Sequence, residues 1–88
     1  AAERFGMLNH VCTAEELQGE VYKMAVRLAE SAPLSLALIK KYVNNTAMSL
    51  DDVLDTEAVA QTLCMATEDY REGIAAFKEK RAPRFTGK

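Results

Sequence analysis

The chain lacks tryptophan altogether and contains only one histidine, two cysteines and four glycines among its 88 residues. The glycines are dispersed, so a glycine-rich phosphate-binding loop is excluded. Cys12 and Cys64 lie far apart with no neighbouring Cys or His pattern, which indicates neither a zinc site nor a disulfide framework. Two buried thiols in a reducing compartment are the expected interpretation.

Long apolar runs and a strong net charge are also absent. No segment approaches the roughly 20 apolar residues that a bilayer-spanning helix needs, and the N-terminus has no apolar core of a signal peptide. The net charge of -2 gives no reason to expect nucleic acid or an anionic membrane as a partner. The charges are nevertheless segregated, because seven acids lie between residues 51 and 72 and five bases lie between residues 78 and 88.

What the chain does contain is a series of helix signals. Thr13-Ala14-Glu15-Glu16 has the Thr-x-x-Glu capping box, and Ser49 and Thr67 are further caps followed by acids. Pro33 ends one helix and begins the next. We therefore predict helices from residue 13 to about 32, from 33 to about 44, from 50 to about 66 and from 67 to about 80, with residues 84–85 extended beyond Pro83.

The N-terminal residues do not show the pattern of a complete helix. Residues 1–6 resemble the last turn of a helix that ends at Gly6, and a helix this short is not stable alone. We therefore expect that further residues precede Ala1. Residues 7–12 are plausible as a short strand or extended segment whose pairing partner lies elsewhere.

The search for catalytic chemistry yields few candidates. His10 has no evident partner and is interpreted as a polar residue on an extended segment. Glu68, Asp69 and Glu72 could form a carboxylate cluster, but capping and solvated roles are favoured. Gly73 inside a helix implies either close approach of a backbone or ligand, or a tolerated flaw.

The basic residues near the C-terminus have three possible roles. They could form a nucleic-acid patch, although no wider basic face supports it. They could bind a phosphorylated small molecule, for which one or two fixed cations suffice. Composition alone favours a solvated basic tail; the residues are Lys78, Lys80, Arg81 and Arg84.

An ordered set of motifs covers nearly the whole chain. It begins with Gly6-Met7-Leu8-Asn9-His10-Val11 and continues with Ser31-Ala32-Pro33 before a helix that contains Lys40. It then runs through Glu57, Thr67-Glu68-Asp69, Glu72-Gly73, Ala76-Phe77 and Lys80-Arg81-x-Pro83-x-Phe85. In this order the motifs resemble the C-terminal region of the crotonase superfamily, the enoyl-CoA hydratases and isomerases.

The resemblance implies a mostly α fold. It would have four to five helices and at most one short strand, and it would be the C-terminal helical trimerisation region of an α/β enzyme whose core is a spiral of ββα units. Residues 1–12 would end the spiral core. Residues 13–88 would form the helical region that builds trimers, often paired into hexamers, and helps to cover the acyl-CoA site.

The resemblance also implies the functional roles. Lys80 matches the family's lysine that contacts the phosphate-bearing end of CoA, and Phe77 would pack beside the adenine or acyl pocket, or in an ordinary core. The oxyanion hole and the acid-base carboxylates belong to the upstream core, so no catalytic residue and no metal site is assigned to this chain. No cofactor is expected beyond the CoA of the substrate, and the expected location is the cytoplasm, or the mitochondrial or peroxisomal matrix in a eukaryote.

Two further points bear on this interpretation. Met65 stands where naphthoyl-CoA synthases of the family have a functional tyrosine, and a thioether cannot replace a phenol donor, which disfavours that branch. The alternative from another class is a free-standing helical interaction module without catalysis.

Overall fold

The computed structural model describes all 88 residues and contains four α-helices and no strand. The helices are α1 (Ala14–Ala29), α2 (Pro33–Val43), α3 (Leu50–Met65) and α4 (Glu68–Glu79). The predicted mostly α class, with four to five helices and at most one short strand, is confirmed, and the helix boundaries predicted from the sequence agree to within a few residues.

Local hydrogen bonds explain where the helices begin. Thr13 and Glu16 form the predicted capping box, in which the Glu16 amide donates to Thr13 Oγ1 at 3.3 Å and the Thr13 amide donates to Glu16 Oε2 at 3.1 Å. Ser49 and Asp52 form a second reciprocal box at the start of α3. α2 has no side-chain cap and instead begins with Pro33, whose missing amide hydrogen would be unpaired there in any case.

The N-terminal segment is a single turn followed by irregular chain. The Met7 amide donates to the Ala2 carbonyl at 3.0 Å and the Gly6 amide to the Glu3 carbonyl at 3.0 Å. With Gly6 at φ 74°, these bonds form a Schellman motif, which closes a helix with a left-handed residue. Residues 7–12 are irregular, with bends at Met7 and Asn9, and they pair with no strand.

The main contacts between helices are made by α3. α3 packs against both α2 and α4, and only Ala60, Ala76 and Asp69 are buried. The apolar stripe of α1, formed by Leu17, Val21, Met24 and Leu28, remains about half exposed. None of the four helices combines the length and apolar character needed to cross a bilayer.

The chain is consequently more open than a closed domain of its length. Its radius of gyration is 16.4 Å, whereas a compact domain of this length has about 12 Å. Both cysteines are free and half-buried, so the thiols are not buried as predicted.

Candidate functional site

The candidate site lies on α4 and on the C-terminal tail, residues 80–88, which folds back along that helix. Thr67 Oγ1 accepts the Tyr70 amide at 3.1 Å and donates to the Cys64 carbonyl at 2.6 Å. This single hydroxyl therefore starts α4 and joins it to the end of α3, which fixes the direction in which α4 leaves the helix pair.

Lys80 ends α4 in an unusual backbone conformation. Its φ and ψ are 54° and 41°, and it is the only non-glycine residue with a positive φ. The Lys80 amide donates to the Phe77 carbonyl at 3.3 Å, and the Arg81 amide donates to the Ala76 carbonyl at 3.0 Å. This is a Schellman motif with lysine where glycine is usual, and the Cβ makes that conformation cost about 1–2 kcal/mol.

Directly beyond Lys80, Arg81 forms a two-point ion pair with Glu72. Arg81 Nη1 donates to Glu72 Oε1 at 2.6 Å and Nη2 donates to Oε2 at 2.9 Å, while Arg81 Nε donates to Glu79 Oε2 at 2.6 Å. Bidentate arginine–carboxylate pairs are both strong and geometrically specific.

The ion pair and its backbone contact change the titration of both partners. Hydrogen bonds from the Arg81 side chain, and then from the Arg84 amide at 2.8 Å, lower the pKa of Glu72 from 4.5 to about 2. The bonds to Glu72 and Glu79 raise the pKa of the Arg81 guanidinium above its usual value. Glu72 is therefore ionised at neutral pH.

Asp69 anchors the end of the tail. Its carboxylate accepts the Thr86 amide at 2.7 Å and the Gly87 amide at 2.8 Å, and its own amide donates to the Lys88 carbonyl at 3.0 Å. Because the residue is only 5% exposed, these bonds replace the water that the carboxylate loses on burial.

The tail places Phe85 over Gly73. A Cβ built on Gly73 would lie 3.6 Å from Phe85 Cε1, which is ordinary van der Waals contact. The close approach expected at this glycine is thus made by an aromatic side chain of the same chain. The nearest atoms belong to a side chain and not to another backbone, and the alternative of a ligand at this helix face stays a prediction.

An apolar cavity of about 450 Å³ lies beside this contact, between the start of α2 and one face of α4. Phe77 lies at its rim and is 85% exposed. Lys80 does not line the cavity but follows Phe77 by three residues, so the two predicted CoA-contacting residues share the last turn of α4. The main lining side chains are Leu34, Ser35, Cys64, Tyr70, Ile74 and Phe85.

A second cavity, of about 330 Å³, lies between α2 and α3. Its lining is mainly apolar and includes Tyr42, Met48 and Val53. Ser35 and Cys64 line both cavities, and Ser35 Oγ lies 3.4 Å from Cys64 Sγ. The contact between these two residues therefore separates the two spaces.

Other candidates from the sequence do not converge on a site. His10 Nδ1 lies 3.6 Å from Glu3 Oε1 at an exposed position, and no group of three His, Cys, Asp or Glu side chains is placed to hold a metal ion. The carboxylate cluster serves the tail, because Asp69 and Glu72 bind different parts of it.

Two expectations are corrected by these contacts. Arg81 is not part of a solvated basic tail, since three of its nitrogens are bonded to carboxylates. Glu72 is likewise not simply solvated. Both residues belong to the sequence motifs quoted above, but their partnership spans nine residues, whereas helix rules concern neighbours three or four apart.

Comparison with known proteins places these features in a family. The family model described as enoyl-CoA hydratase/isomerase matches residues 1–88. The chain is 40% identical over 88 residues to the 1,2-epoxyphenylacetyl-CoA isomerase of Escherichia coli and to the crotonyl-CoA hydratase of Syntrophomonas wolfei, covering 99% of this chain and 34% of each relative.

A solved structure agrees with the sequence comparison. An enoyl-CoA hydratase subunit from Geobacillus kaustophilus superposes with a TM-score of 0.87 at 44% identity, covering 99% of this chain and 34% of that one. The chain belongs to the enoyl-CoA hydratase/isomerase family of the crotonase superfamily. It spans about a third of the length of the curated relatives it matches.

Proposed function

We propose that these residues are the C-terminal helical part of an enoyl-CoA hydratase/isomerase-like enzyme that acts on acyl-CoA thioesters. In this proposal the segment binds the phosphate-bearing end of CoA through Lys80 and contributes to a homo-oligomer, a trimer or a dimer of trimers. The observation that carries the proposal is the family match over residues 1–88, combined with the conformation of Lys80.

The conformation supports a role for the lysine side chain. Glycine would satisfy the left-handed position without strain, and strained residues of this kind cluster at ligand-binding sites. A lysine at this left-handed position is explained if its ammonium group makes a contact that glycine cannot make. The surrounding charge agrees, because residues 72–84 carry four bases and two carboxylates, a net charge of +2.

Phe77 supports an adjacent apolar contact. Its ring is 85% exposed at the rim of the 450 Å³ cavity, and a large aromatic surface gains considerable free energy when it is covered. The adenine of CoA or the acyl chain would cover it, and so would packing against another part of the protein.

The chemical step is assigned to the rest of the enzyme. Members of the family would add water to a 2-enoyl thioester or shift its double bond through an enolate, whose negative charge is stabilised by preorganised backbone donors. No residue of 1–88 is assigned this role, so no catalytic residue is proposed here and the segment alone is expected to be inactive.

The test is a lysine substitution in the full-length enzyme that carries this chain. Lys80→Ala removes a charge-assisted bond to phosphate, which is typically worth about 1.5–3 kcal/mol. We expect KM for acyl-CoA to rise by about ten- to a hundredfold with a smaller change in kcat, as measured by steady-state kinetics. An unchanged KM would refute the assignment.

Lys80→Gly is the matched control for protein stability. It removes the same charge and also relieves the backbone strain, so thermal unfolding should occur at an equal or higher temperature. A raised KM in a protein that is no less stable separates loss of the phosphate contact from loss of folding.

The exposed apolar surface also favours a second candidate, a helical interaction module without catalysis. Light scattering and titration with CoA distinguish the two functions. An oligomer that binds CoA supports the enzyme segment, whereas a monomer without CoA affinity supports the module.

A further inference from the structure

We infer that Glu72 and Arg81 are positioning residues that hold Lys80 ready for the phosphate of acyl-CoA. The inference rests on the proposed function of Lys80 and adds to it a device that maintains the conformation of this residue. This device is the two-point ion pair between Glu72, in the middle of α4, and Arg81, which directly follows Lys80.

The backbone of Lys80 is held on both sides. Arg81 is held through its backbone, by the 3.0 Å bond from its amide to the Ala76 carbonyl, and through three side-chain nitrogens. Lys80 lies between this fixed residue and the last turn of α4, to which its own amide is bonded. Its backbone therefore cannot relax to a right-handed or extended conformation unless these bonds break.

Glu72 also fixes the tail beyond Arg81, through the backbone of Arg84. Glu72 Oε1 accepts the Arg84 amide at 2.8 Å as well as Arg81 Nη1. The segment from Arg81 to Arg84 is thus held at both ends by one side chain. Surroundings that over-determine a conformation in this way are what allow a strained residue to persist.

The acidic side chains near Lys80 are paired with Arg81. Glu72 and Glu79 are the two carboxylates of residues 72–84, and both are bonded to Arg81. Lys80 takes part in no salt bridge of the structure. Arg81 therefore occupies the acids that would otherwise compete with a phosphate for the exposed Lys80 ammonium.

The experiment measures Glu72→Gln and Arg81→Lys in the full-length enzyme with two substrates. One is an acyl-CoA, and the other is the matching acyl-pantetheine, which lacks the nucleotide and its phosphate. Either substitution breaks the ion pair and leaves Lys80 without its fixed conformation. Binding must then order this residue, at a free-energy cost typical of one flexible side chain, so KM for acyl-CoA should rise by about three- to tenfold. KM for acyl-pantetheine should not change, and kcat should change little for either substrate.

Glu20→Gln is the matched control, because it breaks the exposed ion pair with Lys23 on α1 and should leave both KM values unchanged. Equal rises for the two substrates would show a purely structural role and overturn the inference, as would unchanged KM values in both variants. Lys80→Ala distinguishes the two proposals. If it raises KM for acyl-CoA while the ion-pair variants do not, only the positioning role fails, and if it has no effect the CoA-binding function fails.

Discussion

Asp69 and Glu72 lie one helical turn apart on α4, yet each has its own task. Asp69 is buried and binds the amides of Thr86 and Gly87, whereas Glu72 binds the side chain of Arg81 and the amide of Arg84. At the residue scale the two carboxylates therefore act as anchors for successive parts of the tail. Neither is arranged for the acid-base chemistry that paired carboxylates can perform.

The titration of Glu72 gives a prediction at this scale. Because its pKa is lowered to about 2 from 4.5, the carboxylate stabilises the docked tail above about pH 4.5, and this contribution is lost as pH falls toward 2. We expect the carboxyl carbon to titrate with a midpoint near pH 2 in an NMR experiment. Protection of the Arg84 amide from hydrogen exchange should fall over the same interval.

Arg81→Gln provides the comparison for this measurement. Without the guanidinium, the Glu72 midpoint should move back toward 4.5, because the largest cause of the lowered pKa is the hydrogen bonding from Arg81. A midpoint near 4.5 in the unsubstituted protein would show that the ion pair does not persist in solution.

At the scale of the element, α4 combines a weak interior with two well-defined ends. Thr67 starts the helix and the Schellman motif at Lys80 closes it. Gly73 lies between them and costs helix stability because it gains backbone freedom on unfolding. The contact of Phe85 with Gly73 shows that the tail uses the flat surface that the glycine leaves, although the contact does not require a glycine.

Gly73→Ala should therefore stabilise the protein. The added Cβ would make ordinary contact with Phe85 at 3.6 Å, and alanine exceeds glycine in helix interiors by about 0.8–1 kcal/mol. The measurement is the free energy of unfolding in urea. Gly19→Ala on α1, where an added Cβ meets nothing within 4 Å, is the control and should give the same gain. A loss at Gly73 with a gain at Gly19 would mean that Phe85 cannot accommodate the methyl group.

At the scale of the whole molecule, the most informative quantity is exposed area. The accessible surface is 7652 Å², about 2,500 Å² more than a compact monomer of this size exposes. A standard protein interface covers about 800 Å² on each partner. The excess is thus large enough for more than one docked surface.

The exposed apolar stripe of α1 provides a test, in the full-length enzyme, of whether this surface docks against another subunit. Val21→Glu places a charge within the stripe formed by Leu17, Val21, Met24 and Leu28, and burying an unpaired charge is strongly unfavourable. If the stripe lies between subunits, the variant should have a lower oligomer mass by light scattering. Tyr22→Glu, at a 71% exposed position outside the stripe, should leave the mass unchanged.

The effect of Val21→Glu also distinguishes a contact between subunits from a contact within one subunit. Reduced stability with an unchanged oligomer mass would show that the stripe packs within its own subunit. Unchanged stability and unchanged mass would contradict any docked role for α1.

Much of this architecture was predictable because its causes are local. Thr13, Pro33, Ser49 and Thr67 act on amides within one turn of themselves, so the starts of all four helices follow from short stretches of sequence. The left-handed glycine at Gly6 follows in the same way. The ordered motifs also led to the correct family, because they extend along the whole chain.

The roles on the tail could not be predicted in this way because their partners are distant in sequence. Arg81 meets Glu72 across nine residues, and Gly87 meets Asp69 across eighteen. No periodic pattern indicates which acid a returning segment will meet, so a solvated tail was the natural expectation from composition. Lys80 was singled out by its motif, but its conformation depends on the bonds that close α4.

The four helices, their caps and the family follow from the sequence alone, since these depend on local backbone hydrogen bonds and on the order of motifs. Only the tertiary structure decided that the tail folds back on α4, that Asp69 and Glu72 hold it, and that Lys80 is left-handed and exposed. The physical reason is that a carboxylate binds whichever donors the folded chain brings within about 3 Å of it, and that proximity is a property of the fold.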